Sequence, residues 1–122
     1  MVKGIGVDII EIDRIEKAMK KTDRFLTRLF TEREIAYFTS KNMKAESVAG
    51  NFAAKEAVVK ALGTGLRGFQ WTDIEILRDE LGKPVVYLYN GADQVAKDLG
   101  ISQIMLSISH CKTYAVANGV AV

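Results

Sequence analysis

These 122 residues predict an α+β fold, a single domain with a mainly antiparallel sheet packed against one long apolar helix. Three observations carry the prediction. The chain opens on a short alternating apolar run, Gly4 to Ile10. Helical periodicity then dominates as far as Gly63, and two pairs of apolar runs separated by turn residues follow it. That order is neither alternating βαβ nor all-β, so the strands are expected to pair as neighbours and antiparallel.

In the first run Ile5, Val7 and Ile9 alternate with Gly6, Asp8 and Ile10, the period of a strand. From Ile12 to Lys21, Ile12, Ile15, Ala18 and Met19 recur at helical spacing, and Thr22 or Asp23 can restart a second short helix. Thr31 with Glu34 three residues later is a capping box that opens a helix towards Ser40. The long apolar helix is expected from near Ser47 to Gly63, with the loop glycines Gly65 and Gly68 beyond it. Trp71 to Asp79 and Val85 to Tyr89 read as strands joined around Gly82-Lys83-Pro84. Asn90 caps a helix ending near Gly100, and Ile104 to Ser109 with Tyr114 to Val122 form a last hairpin around His110-Cys111-Lys112.

Composition narrows the class. With 48% hydrophobic and 26% charged residues this is an ordinary globular chain, and its length suits one domain, 1–122, for which oligomerisation would bury further surface. A net charge of +2 gives no case for nucleic acid as a partner. The apolar start is short and broken by Asp8, so neither a signal peptide nor a membrane span is expected, and no membrane partner. One cysteine excludes an internal disulfide and suits a cytoplasmic location.

The most informative segment is Phe52 to Gly65. At 100° per residue Glu56 and Lys60 lie about 40° apart, while alanine, valine, leucine and Phe52 cover nearly everything else; only Lys55 breaks the apolar remainder. A helix apolar on most sides is packed on most sides, so Glu56 needs a cation, a hydrogen-bond set or a raised pKa. Lys60, four residues on, is one such partner. Asp8 is the second misplaced carboxylate, since aspartate is a poor strand residue among apolar neighbours. It either caps the helix that follows, pairs with Arg14, or joins Glu56 in holding a hard divalent cation. Magnesium suits two carboxylates, because it keeps several waters and completes its shell with phosphate oxygens. With one His and one Cys, no zinc spacing competes.

A further pattern is a row of cations. If helical phase is kept, Arg14, Lys17, Lys21, Arg24 and Arg28 fall within about 80° of one another, with Phe25 beside them. This is either a solvated charged face or a docking ridge for an acidic protein surface, and a break at Thr22-Asp23 would split it.

Gly4-Ile-Gly-Val-Asp-Ile-Ile-Glu-Ile with Arg14-Ile15, Ala49-Gly-Asn-Phe-Ala-Ala-Lys-Glu-Ala, Lys60-Ala-Leu-Gly-Thr-Gly, Gly82-Lys-Pro and Ser107-Ile-Ser-His together resemble the bacterial holo-acyl-carrier-protein synthases, group I phosphopantetheinyl transferases, along almost the whole chain. The resemblance implies transfer of 4′-phosphopantetheine from coenzyme A to a serine of an acyl carrier protein, with adenosine 3′,5′-bisphosphate leaving, a step that serves fatty-acid biosynthesis. It implies that Asp8 and Glu56 hold magnesium, that Lys60 neutralises phosphate charge, and that Asp8, Glu56 and Lys60 carry catalysis. Gly63-Thr64-Gly65, Lys83, Pro84 and, near the nucleotide end, His110 would line the coenzyme site. Arg14, Lys21, Arg24, Phe25 and Arg28 would receive the carrier protein, and three chains would form a homotrimer with active sites between subunits. The serine proton would pass to Glu56 or to a metal-bound water; a ligated carboxylate is a weakened base, which favours the water.

Two positions depart from the pattern. Asn51 stands where many members have Arg, which puts one coenzyme phosphate contact in question, with Lys44 nearby to compensate. Position 110 varies in the family, and a lone histidine at a strand end is commonly structural. Trp71 and the tyrosines read as core or interface residues. Cys111 has only Lys112 and His110 beside it to activate its thiol, and this chemistry needs no covalent intermediate. Two other classes use subsets of these features: a magnesium-dependent phosphohydrolase would need the carboxylates without the ridge, and a non-enzymatic module binding an acidic protein would need the ridge without the carboxylates.

Overall fold

A helix with so little polar surface has to be wrapped, and the wrapping of α4 (Ala45–Leu62) organises the molecule. In the computed structural model, which describes residues 1–122, the chain runs β1 (Gly4–Glu11), α1 (Ile12–Lys21), α2 (Arg24–Leu29), α3 (Glu32–Ser40), α4, a 3-10 turn (Trp71–Asp73), β2 (Ile74–Arg78), β3 (Pro84–Leu88), α5 (Asn90–Asp98), β4 (Ile104–His110) and β5 (Tyr114–Ala121). The strands make two antiparallel sheets, β1-β5-β4 and the hairpin β2-β3. The larger core joins α4 (Ala53, Ala57, Val58) to Ile74, Ile76, Leu106 and Ala117, and a smaller one gathers Ile15, Phe30, Phe38 and Val48 under α1 to α3.

The glycines of β1 decide how it packs. A Cβ at Gly4 would overlap the Ala61 carbonyl oxygen, and one at Gly6 would overlap that of Ala57. Glycine therefore lets the strand backbone lie directly against α4, and the alternation of strand side chains turns Asp8 and Ile10 to the same face. The apolar set Ile5, Val7 and Ile9 points the other way and stays exposed, at 70%, 58% and 63%. β1 is also an edge strand, pairing only with β5 from Gly4↔Ala121 to Glu11↔Tyr114.

Three expectations need correction. Trp71 to Asp73 is a 3-10 turn and β2 begins at Ile74. The Asp73 carboxylate accepts from Gln70 N–H, and the Trp71 carbonyl is claimed by the ammonium of Lys55, from the central helix, instead of a strand partner. α4 starts at Ala45, two residues before Ser47, with Lys44 at its N-cap and no capping side chain. Tyr89 occupies the N-cap of α5; Asn90 is its first helical residue, with φ 50°, and its amide donates to Asp73 instead. The break that would split the basic ridge is present, with Thr22 extended between α1 and α2 and the ridge divided over two helices. The capping box at Thr31 and Glu34 is present as expected.

Candidate functional site

Asp8 and Lys60 meet because β1 sits on α4. The Lys60 ammonium donates to Val7 O at 3.0 Å and to Asp8 Oδ1 at 3.3 Å. Lys60 therefore takes Asp8 as its close partner, where the helical spacing pointed to Glu56, and Asp8 neither caps α1 nor pairs with Arg14. Asp8 is 17% exposed and Lys60 53%. Glu56 is half-buried, and burial pushes its carboxyl above the ordinary value; the Asp8 charge pushes it further and Lys60 partly offsets both. Two carboxylates that repel one another in a partly desolvated site form an arrangement that a cation would stabilise.

The donor set fits magnesium. No group of three or more His, Cys, Asp or Glu side chains converges anywhere, so an all-protein cage is absent. Asp8 and Glu56 would supply two hard oxygens, the number at which magnesium binds with water and substrate phosphates completing its shell. Beside them α4 ends on Gly63, whose φ of 80° makes the left-handed C-cap, and Gly65 follows with φ 67°. This turn brings exposed backbone next to Lys60, with Thr64 Oγ1 bonded to Gly65 O at 3.1 Å.

Of the other predicted coenzyme residues, Lys44 and His110 lie at the opposite end of α4. Lys44 is its exposed N-cap residue, and His110 Nδ1 lies 3.7 Å from Glu46 Oε2 in the first turn. Lys83 precedes β3, and Pro84 opens it and pairs with Arg78, which in turn touches Asn51 in the first half of α4. Lys44 and Lys60 are separated by about 24 Å of helical rise, so Lys44 and His110 lie far along α4 from the carboxylates and the glycine loop.

The ridge is also divided. Lys17 is engaged by Asp13 at 2.9 Å. Lys21, Phe25 and Arg28 share the wall of a cavity of about 580 Å³ with Leu29, Leu66 and Trp71, whereas Arg14 and Arg24 lie outside that wall. Phe25 is half-buried and packs on Phe52, and Phe52 packs on Trp71, ring centres 6.5 and 6.1 Å apart. The result is an apolar floor under a basic rim, next to the glycine loop.

Sequence reasoning missed the polar network that holds α4 in place. Lys55 and Glu34 are fully buried and paired at 2.7 Å. The Lys55 ammonium also donates to Ile74 O at 2.6 Å and Trp71 O at 3.0 Å. Glu34 accepts from Thr31 N, Ile76 N and Asn51 Nδ2. Burial pushes Glu34 up and Lys55 down, and each charge counteracts the other's shift. Asn51 is part of this network, fully buried, and so faces the core rather than a ligand. Glu75 makes a second cluster, accepting from Thr31, Arg33 and Tyr89. The signals were present: a charge inside an apolar helix, and a capping-box glutamate with a second oxygen to satisfy. Cys111 is exposed, and the N–H groups of Tyr114 and Thr113 hold its thiol below the usual value.

An α+β frame brings together a strand carboxylate, a helix carboxylate, a lysine bonded to the first of them and a glycine loop at the helix end, a donor set whose chemistry suits a phosphorylated ligand. The chain belongs to the 4′-phosphopantetheinyl transferase superfamily, whose model matches residues 4–117. It is 57% identical over 124 residues to the holo-(acyl-carrier-protein) synthase of Clostridium perfringens, covering 98% of this chain and 93% of that one. The crystal structure of the synthase from Neisseria meningitidis superposes with a TM-score of 0.92 at 36% identity, over 100% of this chain and 99% of the other. The Helicobacter pylori enzyme in complex with coenzyme A superposes with a TM-score of 0.86 at 34% identity, over 97% and 99%.

Proposed function

We propose that residues 1–122 form one transferase domain that moves 4′-phosphopantetheine from coenzyme A to a serine of an apo acyl carrier protein, releasing adenosine 3′,5′-bisphosphate. The observation that carries this reading is the meeting of Asp8, Glu56 and Lys60 at the glycine loop, in a chain alike over its length to holo-(acyl-carrier-protein) synthases. Asp8 and Glu56 would hold magnesium, which would supply charge neutralisation at the coenzyme diphosphate. Lys60, fixed by Val7 O and Asp8, presents an ammonium to the phosphates. The loop at Gly63-Thr64-Gly65 offers backbone N–H groups to the same charge. The nucleophile belongs to the carrier protein, so this chain contributes alignment and charge stabilisation. With both carboxylates committed to such an ion, the serine proton would pass to water rather than to Glu56. Intact-mass spectrometry of an apo carrier protein incubated with the enzyme, coenzyme A and magnesium tests this: a gain of one phosphopantetheine is expected, and coenzyme A breakdown without that gain would favour a hydrolase.

Carrier docking is assigned to Arg14, Lys21, Arg24, Phe25 and Arg28. The apolar floor and basic rim of the cavity support an acidic helix with an apolar anchor as the partner. Lys21→Glu with Arg28→Glu should raise KM for the carrier protein by about 30-fold while coenzyme A binding changes by less than about twofold. Equal loss of both would remove the docking assignment.

The enzyme is also proposed to be a homotrimer with active sites between subunits. Two features support this: the exposed Ile5, Val7 and Ile9 on an edge strand, flanked by exposed Met105 and Tyr114, and the placement of the two coenzyme-binding groups at opposite ends of α4. An apolar sheet face of this extent marks an interface. Val7→Glu should convert the protein to monomer in light scattering and abolish transfer. A fully active Val7→Glu monomer would place the whole site on one chain. No helix is long and apolar enough to cross a membrane, and the exposed free Cys111 suits the reducing cytoplasm in which we place the enzyme.

A further inference from the structure

Arg78 closes β2, half-buried, and no carboxylate lies within ion-pairing distance of it. Its guanidinium lies against the Tyr37 ring, 4.7 Å from the centre. Nη2 donates to Asn51 Oδ1 at 2.9 Å, and Nη1 makes only a long bond, 3.4 Å, to Leu77 O. Asn51 cannot swing away, because its amide is buried and donates to Ile76 O at 3.0 Å and to Glu34 Oε2 at 3.4 Å. Arg78 is thus a planar fork held by an aromatic face and a fixed acceptor, with most of its N–H donors free. Burial disfavours its charge, which only Tyr37 and the more distant Glu34 support. A cation in that condition gains by meeting an anion.

Its position says which one. Arg78 faces Pro84 across the β2–β3 ladder, at the Lys83-Pro84 end that lines the coenzyme site in the transferase reading. In that reading the diphosphate belongs to Lys60 and the Asp8–Glu56 cation, towards the other end of α4. The anionic group of coenzyme A that is left is its phosphomonoester. We propose that Arg78, oriented by Asn51 and Tyr37, binds the 3′-phosphate of the coenzyme. Asn51 then serves as the holder of a guanidinium supplied by β2, and Lys44 is not needed as its substitute. The inference rests on the transferase reading, with the Arg78 site contributed to whichever active site its end of α4 completes.

The test is calorimetric binding of coenzyme A and of 3′-dephospho-coenzyme A, with magnesium and without carrier protein, to the wild type, Arg78→Met and Arg78→Lys. A guanidinium–phosphate contact of this kind corresponds to about 30-fold in affinity. Arg78→Met should lose about that factor for coenzyme A and stay within about twofold of wild type for the dephospho form, with Arg78→Lys in between. The dephospho ligand reports on folding within the same sample. Unchanged coenzyme A affinity in Arg78→Met would overturn the proposal. So would equal losses for both ligands, since Arg78 would then act on the diphosphate or on the fold. A wild type that binds neither ligand would defeat the transferase reading itself, an outcome distinct from the other two.

Discussion

Glu56→Gln should lower kcat/KM for carrier-protein modification by about 1,000-fold, and the same substitution should make the metal-free protein more resistant to heat. The two effects share one cause. Burial and the Asp8 charge raise the Glu56 pKa, so folding of the metal-free protein works against the ionised carboxylate. For a group whose folded pKa is raised, the stabilising contribution is complete below the unfolded carboxylate value and disappears as pH climbs through the folded value. Near neutral pH Glu56 is therefore a cost to the apo protein, which glutamine removes. Melting curves with chelator at neutral pH should place the variant above the wild type by roughly a few degrees. That gap should close as the pH falls towards the carboxylate range. Magnesium should raise the melting point of the wild type and leave Glu56→Gln nearly unmoved. A variant that transfers phosphopantetheine at the wild-type rate, or a wild type indifferent to magnesium, would sink the metal-site assignment.

Lys55→Met should have the largest effect on stability. It strands the Glu34 carboxylate in a fully buried site and removes the donor from Trp71 O and Ile74 O. Removing one partner of a buried ion pair costs about 4 kcal/mol, or about 15 °C in Tm for a chain of this size. Adding Glu34→Gln removes the stranded charge while keeping a carbonyl acceptor for Ile76 N–H, so the double variant should recover about half of the loss. Urea unfolding of the two single variants and the double one measures this directly. Lys55→Met unfolding within about 1 kcal/mol of wild type would show that the pair is not what anchors α3 and the 71–74 turn to the central helix.

Both predictions turn on adjacent residues of one helix, and they show what can be read from a sequence. Periodicity and caps identified every helix and all five strands, because those signals are local: the Thr31–Glu34 capping box, the 3.6-residue pattern of α1, the glycine that ends α4. Errors fell where a distant group outvoted the local pattern. Trp71 to Asp73 carries strand-forming residues, yet the Lys55 ammonium draws the Trp71 carbonyl and bends the segment into a 3-10 turn. Asn90 looked like a cap, and its amide went to Asp73.

The candidate site divides the same way. The oddity of Asp8 and Glu56 was legible because carboxylates are costly among apolar neighbours whatever the fold. Their partners were not legible. Lys60 chose Asp8 over its helical neighbour because Gly4 and Gly6 let a strand backbone press onto α4, an approach no spacing rule contains. Lys55, Glu34, Asn51 and Arg78 come from three elements far apart in the chain, and only the packed core puts them within hydrogen-bond reach.

By itself, then, the sequence determined the α+β class, the order of elements, the apolar character of the central helix and the two carboxylates that needed an explanation, since these follow from local pattern and the cost of burying charge. Only the tertiary structure decided which face of β1 meets α4, how the basic ridge divides and where the guanidinium of Arg78 points. Those depend on close approach between distant segments, which is set by the shape of the whole core.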